Sequence, residues 1–351
     1  MIQKTGFSAI GLDIAEESIK LLQLKCSKDS LSLHHAAESE LHNYNDKKEL
    51  RERLNELLEK TRLKGKQVIM SLPGSLITTV PIKFSLREDE NIEQALLREA
   101  PNYLPFPLKD EVIDYLMLPF SDQHSQRSVL LIAARREDVL GYIELLEEMG
   151  FETSAIEPRY CSLFRTIQWV QEGTPENQFI FYLDENNTIV MVLISNKIFI
   201  IREISWGVKE IKRKMEKELG LMGNKIEKVL QEYGAQFESS DIDAQEKIGP
   251  MDAREFRQIL HEVITPPLEE LCQEIQKVLS YCVSMVQQRI IIDHALLLGK
   301  ATGIKALDEF IQQRIGLKIT TWENSTKINA LLKAHSFFET ALGLALRNTN
   351  A

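Results

Sequence analysis

Short apolar segments separated by polar turns dominate the first third of the chain and predict a β-rich start. Strands are predicted at 7–14, 18–25, 30–37, 68–71 and 78–84. Leu50, Leu54, Leu57 and Leu58 recur at i, i+4, i+7 and i+8, which predicts a helix over 46–63 that ends at Gly65. The resulting order is three strands, a helix and a further strand.

The stretch 85–150 changes character and is predicted to be an inserted subdomain. Pro101, Pro105 and Pro107 stop a helix at 88–100 and predict an extended path after it. Strands at 112–119 and 128–135 and a helix at 136–149 follow. The chain should then rejoin the first lobe through a strand at 151–157 and a helix at 159–171.

The second half repeats the opening plan after a linker at 173–177. Three strands are predicted at 179–183, 188–194 and 198–203, followed by a helical block with a mobile loop at 238–250 and Pro266-Pro267 near the start of a long helix. A strand, a helix, a strand and a final helix close the second lobe at 295–298, 304–315, 317–321 and 336–347. The predicted domains are a first lobe (1–84 with 151–172), an inserted subdomain (85–150), a second lobe (173–206 with 289–351) and its helical subdomain (207–288).

Composition narrows the class of protein. The 351 residues are 44% hydrophobic and 27% charged, which suits soluble domains with substantial cores. The net charge of −10 argues against a general nucleic-acid binder. The cysteines form no CxxC pair, so we expect free thiols in a reducing compartment at Cys26, Cys161, Cys272 and Cys282. No apolar run is long enough to span a bilayer, and we expect a cytoplasmic protein that reaches a membrane only through a partner.

The segment 9–24 carries the first candidate chemistry. Asp13 is predicted to end a strand and to face away from the core, where a carboxylate can order a metal-bound water. Ser18 is predicted in the returning turn, where a hydroxyl and backbone N–H groups can hold a phosphate, and Lys20 should point out of the second strand. The alternative is an ordinary β-hairpin at a sheet edge.

Several motifs spread over nearly the whole chain resemble the PilM family, actin-like proteins of type IV pilus assembly that are related to the cell-division protein FtsA. The most specific is Glu99-Ala100 with Tyr103 and Pro105-Phe106-Pro107. The others are Gly11–Ile14 with Ser18-Ile19-Lys20, Asp114-Tyr115, Val129–Ala134, Gly150, Glu157-Pro158 with Leu163 and Arg165, and Ala341–Arg347. The resemblance implies an α/β, actin-like (ribonuclease H-like) bilobed fold with an FtsA/PilM-type insertion at 85–150.

The resemblance also implies a nucleotide site, although the loops of this site depart from the family pattern at several positions. The residues carried over are Gly11, Asp13, Ser18, Lys20, Thr188, Gly299, Lys300 and Gly303. Ala15 replaces a glycine of the first phosphate loop, and in the second loop Tyr182 replaces an aspartate and Asp184 a glycine. Phosphate oxygens need a bare backbone there. We expect weak or absent ATP binding, Mg²⁺ only with nucleotide, no resident metal and no catalytic residues.

The function that the resemblance implies is a non-enzymatic scaffold under the inner membrane. It would hold the short cytoplasmic tail of a PilN-like bitopic protein in a groove between the first lobe and the insertion, with Tyr103, Pro105, Phe106 and Pro107 as partner-binding residues. Other pilus platform proteins and self-association are further expectations. Two alternatives stay open: a regulator whose nucleotide state controls its partners, and a GspL-like component of a type II secretion platform.

Overall fold

The computed structural model describes residues 6–28, 30–118, 126–170, 175–235, 247–248, 251–285, 291–322, 331–332 and 337–349. The chain divides into two compact units. Unit 1 comprises Met1–Glu172 and Thr326–Ala351, and unit 2 comprises Gly173–Ser325.

The larger sheet of unit 1 is mixed. Its strands are β1 (Gly6–Phe7), β2 (Ile10–Ile14), β3 (Ser18–Cys26), β4 (Leu31–Glu40), β5 (Gln67–Leu72) and, later in the chain, β9 (Glu152–Pro158). The order is β1-β3-β2-β5-β9, and β4 also pairs with β3. β2 and β3 are antiparallel, whereas β5 is parallel to both β2 and β9. The hairpin β2–β3 is therefore central in the sheet, which excludes the alternative of an edge hairpin.

Helices cover both faces of this sheet. On one face, Leu12 and Ile14 form a core with α1 (Lys47–Glu59) and α3 (Arg136–Glu148). Helix α1 begins where the Asp46 side chain accepts hydrogen bonds from the N–H groups of Lys48 and Glu49. On the other face lie α4 (Arg159–Val170) and the C-terminal helix, Glu339–Leu346, in which every residue is buried. The polar residues Asp13 of β2 and Lys20 of β3 are therefore buried.

A second, three-stranded sheet belongs to the same unit. β6 (Ile77–Ser85), β7 (Glu111–Met117) and β8 (Gln126–Arg135) are antiparallel in the order β6-β8-β7. Residues Ile82, Phe84, Val129 and Leu131 pack against Ala95 and Leu96 of α2 (Ile92–Glu99). Helix α2 begins with a capping box between Asn91 and Gln94. The other side of this sheet faces α4, because the Thr79 and Tyr160 hydroxyls are 3.1 Å apart.

Unit 2 is built on a five-stranded sheet. Its order is β12-β11-β10-β15-β16, from β10 (Gln178–Leu183), β11 (Thr188–Ile194), β12 (Lys197–Ile204), β15 (His294–Leu298) and β16 (Lys318–Thr321). The first three strands are antiparallel, and β15 runs parallel to β10 and β16. The helices are α5 (Val208–Leu219), α6 (Asn224–Glu232), α7 (Ala253–Met285) and α8 (Leu307–Ile315), and β13 (Lys247–Ile248) pairs with β14 (Met251–Asp252).

The structure corrects three parts of the predicted layout. The C-terminal helix, here α9, packs on α4 and β2 of unit 1, although 289–351 was assigned to the second lobe. The small sheet already begins at Ile77, before the predicted start of the insertion at 85. Helix α3, which was predicted as part of the insertion, packs into the main core of unit 1 through Tyr142, Leu145 and Leu146. Pro266 and Pro267 lie inside α7 rather than near its start, and the Trp206 indole N–H donates to the Pro267 carbonyl at 2.9 Å. Most of the predicted loop at 238–250 lies outside the described residues.

Candidate functional site

The Asp13 carboxylate is buried in unit 1 and surrounded by donors. The Arg159 Nε and Nη2 atoms lie 3.0 Å from Oδ1 and 3.4 Å from Oδ2, and the Ser71 hydroxyl donates to Oδ1 at 2.6 Å. The Thr340 hydroxyl of α9 donates to Oδ2. Asp13 and Arg159 are 1% and 3% exposed. The expectation that Asp13 faces away from the core holds for the core around α1, but α4 and α9 cover its side of the sheet.

Gly11 and Lys20 also contact the C-terminal segment. A side chain on Gly11 would overlap backbone atoms of α9, so this glycine allows the helix to approach β2 closely. The Lys20 ammonium donates to the Phe337 carbonyl at 2.6 Å and lies 3.9 Å from Glu38. With 1% of its side chain exposed, Lys20 is buried against the C-terminal segment. Gly11, Asp13 and Lys20 thus come together around α9.

The first predicted phosphate loop is a tight hairpin turn. The Ala15 N–H donates to the Ser18 carbonyl at 2.9 Å, which leaves only Glu16 and Glu17 between the strands. Ser18 is the first residue of β3 and is buried, so it does not lie in the turn as predicted. Glu16 accepts hydrogen bonds at 3.2 Å from the Ser75 N–H and hydroxyl. This turn presents carboxylates where a phosphate loop presents glycine.

The second predicted phosphate loop joins β10 to β11 in unit 2. Tyr182 is fully buried, and the Thr188 hydroxyl donates to the Trp206 carbonyl at 2.9 Å. The N–H groups of Val208 and Lys209, at the start of α5, donate to the carbonyls of Asp184 and Glu185, each at 3.0 Å. The first N–H groups of α5, a place where anions often bind, are therefore engaged by the loop itself.

A carboxylate in this loop lies between two lysines. Both oxygens of Glu185 contact the Lys212 ammonium, at 3.0 and 3.1 Å, and the Lys300 ammonium lies 3.6 Å from Oε2. Burial by itself lowers the pKa of Lys212, but the Glu185 and Glu227 carboxylates outweigh this effect and hold the pKa above its ordinary value. The Lys212 ammonium stays charged, and the carboxylates of Glu185 and Glu227 balance its charge within unit 2.

The predicted adenosine loop packs against this hairpin. Gly299 has φ +86°, and a Cβ there would lie 2.5 Å from the Leu183 carbonyl oxygen. This is a position that only glycine fills without strain. Lys300–Gly303 form a 3₁₀ turn, and the Thr302 N–H donates to the Gly299 carbonyl at 3.0 Å. Gly299 and Lys300 thus lie close to the second loop.

The small sheet presents one face to α4 within unit 1. Strand register places Thr79, Ile132 and Asp114 in one row across the sheet. Tyr160 contacts that row at Thr79. Burial raises the pKa of the neighbouring Cys161 thiol to about 12, with a further contribution from the charge of Asp114. Val112, in the next row of the same face, is 39% exposed.

The predicted partner-binding residues lie on the opposite face of this sheet. Leu104 and Leu108 pack against the cluster under α2, which fixes the segment between them on that side. Tyr103 and Phe106 are each 42% exposed, and the Arg135 guanidinium lies 4.8 Å from the Phe106 ring centroid. Pro101 lies inside a 3₁₀ turn, Ala100–Asn102, and Pro107 precedes another, so the extended path is interrupted. The proline segment is therefore anchored on the α2 side of the small sheet, and its role in partner binding stays a prediction.

Sequence reasoning missed the residues that engage the predicted site. Arg159 follows Glu157-Pro158 and precedes an otherwise apolar helical pattern, which was the only signal available. Lys212 and Thr340 are distant in sequence from their partners. Within the described ranges, no group of three His, Cys, Asp or Glu residues could hold a metal ion. No helix in those ranges is long and apolar enough to cross a bilayer.

Comparison with known proteins identifies the family. The family model for "Type IV pilus assembly protein PilM" matches residues 11–349. A solved structure described as "PilM-PilN type IV pilus biogenesis complex" is similar over 97% of this chain and 98% of that chain, with 21% identity and a TM-score of 0.74.

More distant neighbours share the fold. Ethanolamine utilization protein EutJ from Carboxydothermus hydrogenoformans is similar over 98% of this chain and 92% of that chain, with 11% identity and a TM-score of 0.53. MreB 5 of Spiroplasma citri bound to AMPPNP is similar over 94% of this chain and 95% of that chain, with 13% identity and a TM-score of 0.51. The predicted actin-like fold is confirmed. The chain belongs to the family of the type IV pilus assembly protein PilM.

Proposed function

We propose that this chain is a non-enzymatic scaffold of the type IV pilus assembly platform that holds the short cytoplasmic tail of a PilN-like bitopic protein. Family membership over residues 11–349 is the observation that carries the proposal. The related PilM structure was described as a complex with PilN. The chain would lie at the cytoplasmic face of the inner membrane and be held there by this partner.

The α4-facing side of the small sheet is where we propose that the tail binds. Strand β7 is hydrogen-bonded to β8 and, among the described residues, to no other strand, so its outer edge can accept an extended peptide. Val112 and Asp114 on this strand are exposed, whereas Ile132 is half-buried, which offers an apolar surface with one carboxylate. A tail of mixed apolar and polar residues suits this surface.

A pair of substitutions on β7 tests the location of the tail. Val112 and Met117 are both exposed, at 39% and 44%, and alternation along the strand turns them to opposite faces. We expect Val112→Asp to weaken binding of a synthetic tail peptide at least about tenfold in calorimetry, equivalent to about 1.4 kcal/mol. Met117→Asp is the matched control and should bind normally.

Other outcomes would change the proposal. If Phe106→Ala weakens the peptide and Val112→Asp does not, the tail binds beside the proline segment instead. If the unmodified chain binds no tail of a PilN-like protein from the same organism, the scaffold function is wrong.

We also propose that ATP binding is weak or absent. Support comes from the engaged Asp13, the carboxylate-bearing turn at Glu16 and Glu17, and the buried Tyr182. Calorimetry with ATP and Mg²⁺ tests this. A dissociation constant below about 10 μM, or roughly 7 kcal/mol, would favour a nucleotide-controlled regulator.

A further inference from the structure

Asp13 occupies the position where the actin-like resemblance expects a carboxylate that orders a metal-bound water. Here its two oxygens accept hydrogen bonds from Arg159, Ser71 and Thr340, and its side chain is 1% exposed. A guanidinium held this way carries a full positive charge and fits a carboxylate with two parallel N–H groups. A divalent cation does not fit beside Asp13, because its counter-charge is already supplied by the protein.

Glu185 shows the reverse arrangement in unit 2. The resemblance aligns its loop with the second phosphate loop, where an anion would sit. In this chain an anion is present as the Glu185 carboxylate, in contact with Lys212 and Lys300. The N–H groups of Val208 and Lys209, which could also hold a phosphate, donate to the loop carbonyls. Added phosphate would have to displace a carboxylate that is only 14% exposed.

We propose that this chain has replaced the charges of a bound nucleotide complex with its own side chains, with Arg159 in place of the cation and Glu185 in place of a phosphate. Each replacement lies within one unit and needs no ligand. The inference deepens the proposed absence of tight nucleotide binding. It does not depend on tail binding, so loss of tail binding would leave it intact.

Removal of the Glu185 carboxylate tests the second replacement. In Glu185→Ala the two lysines lose their shared anion, so inorganic phosphate should raise the melting temperature by about 2 °C or more relative to chloride at matched ionic strength. The unmodified chain should show no such rise. Glu227→Ala is the matched control, because Glu227 contacts the same Lys212 at 3.3 Å but is 57% exposed.

Some outcomes of the phosphate experiment would contradict the role proposed for Glu185. If Glu185→Ala and Glu227→Ala respond alike, or if the unmodified chain responds as strongly as Glu185→Ala, the carboxylate does not replace a phosphate. A triple variant, Glu185→Ala with Lys212→Met and Lys300→Met, should lose the response if the two lysines bind the added anion. A response that survives in this variant would overturn the assignment.

A double-mutant cycle tests the first replacement. Asp13→Asn and Arg159→Gln should each lower the melting temperature, and the double variant should lose less than the sum, because it leaves no unpaired buried charge. Additive losses would show that the pair does not act as a unit. If either single variant fails to fold, a melt of the unmodified chain with ATP and Mg²⁺ tests the proposal instead. The expected result is an unchanged melting temperature, and a raised one would overturn the proposal.

Discussion

A Cβ atom on Gly11 would lie 2.2 Å from the carbonyl oxygen of Ala341. Neither backbone segment can move easily, because Gly11 is in a central strand and Ala341 is in the fully buried α9. We therefore expect Gly11→Ala to lower the free energy of unfolding by about 2–3 kcal/mol, measured by denaturant titration.

Gly150 supplies the control for this substitution. It has φ +84°, but nothing lies within 4 Å of an added Cβ, so Gly150→Ala should cost only the conformational penalty of about 1 kcal/mol. If both variants unfold at the same denaturant concentration, α9 does not pack against Gly11 as described.

Phe106 is exposed and contacts Arg135, which predicts a small role in stability. We expect Phe106→Ala to cost less than about 1 kcal/mol, the range of an exposed cation–π contact. Phe84, in the same small sheet, is 5% exposed, and Phe84→Ala should cost about 3–5 kcal/mol. Thermal melts of the two variants provide the comparison. A large loss for Phe106→Ala would mean that its ring is part of a core.

The Arg98 guanidinium donates to both oxygens of Glu90, each at 2.9 Å, and this contact lowers the pKa of Glu90 to about 2. Because the pKa is lowered on folding, the stabilisation is present above the ordinary value of 4.5 and is lost as the pH falls toward 2. We expect Arg98→Gln to raise the pKa of Glu90 toward 4.5 in a carboxyl NMR titration.

Arg87 provides the matched variant for this titration. It lowers the pKa of Glu90 mainly through its backbone N–H, which a side-chain substitution retains. Arg87→Gln should therefore shift the pKa much less than Arg98→Gln. Equal shifts would assign the effect to overall charge rather than to the Arg98 contact.

The four thiols should differ in reactivity. Burial raises the pKa of Cys161 and Cys272 to about 12 and that of Cys282 to about 11. Burial also raises the pKa of Cys26, whose side chain is half-buried. Since the thiolate is the reactive form, an alkylating reagent at pH 8 should label Cys26 first. Peptide mass spectrometry measures the order, and the denatured chain should label all four at similar rates. Early labelling of Cys161 would contradict its position beside the small sheet.

Local patterns in the sequence predicted most of the elements of this fold. The spacing of Leu50, Leu54 and Leu57 marks the buried face of α1 because helix periodicity is a property of neighbouring residues. The strands that begin each unit were found in the same way, although the structure divides the first predicted strand, 7–14, into β1 and β2. The two-residue strands β13 and β14 are too short to leave a period and were not predicted.

Long-range packing explains the parts that sequence reasoning missed. Lys20 was predicted to point out of its strand, and the segment that buries it lies more than 300 positions away in the sequence. The pairing of Asp13 with Arg159 likewise joins residues 146 positions apart. Nothing in either segment indicates its partner, so the sequence alone could not show that Arg159 supplies a counter-charge to Asp13.

The position of α9 has a consequence for the order in which the protein is made. Unit 2 is one continuous stretch of chain, whereas unit 1 needs residues from both sides of it. During synthesis the ribosome therefore releases all of Gly173–Ser325 before α9 emerges to cover β2 and α4. Until then the part of the unit 1 sheet that α9 covers stays open, with Asp13 and Lys20 lacking their contacts to the C-terminal segment. The nascent chain thus most needs chaperone protection at the open sheet of unit 1, and truncation before α9 should yield an aggregating product with a folded unit 2.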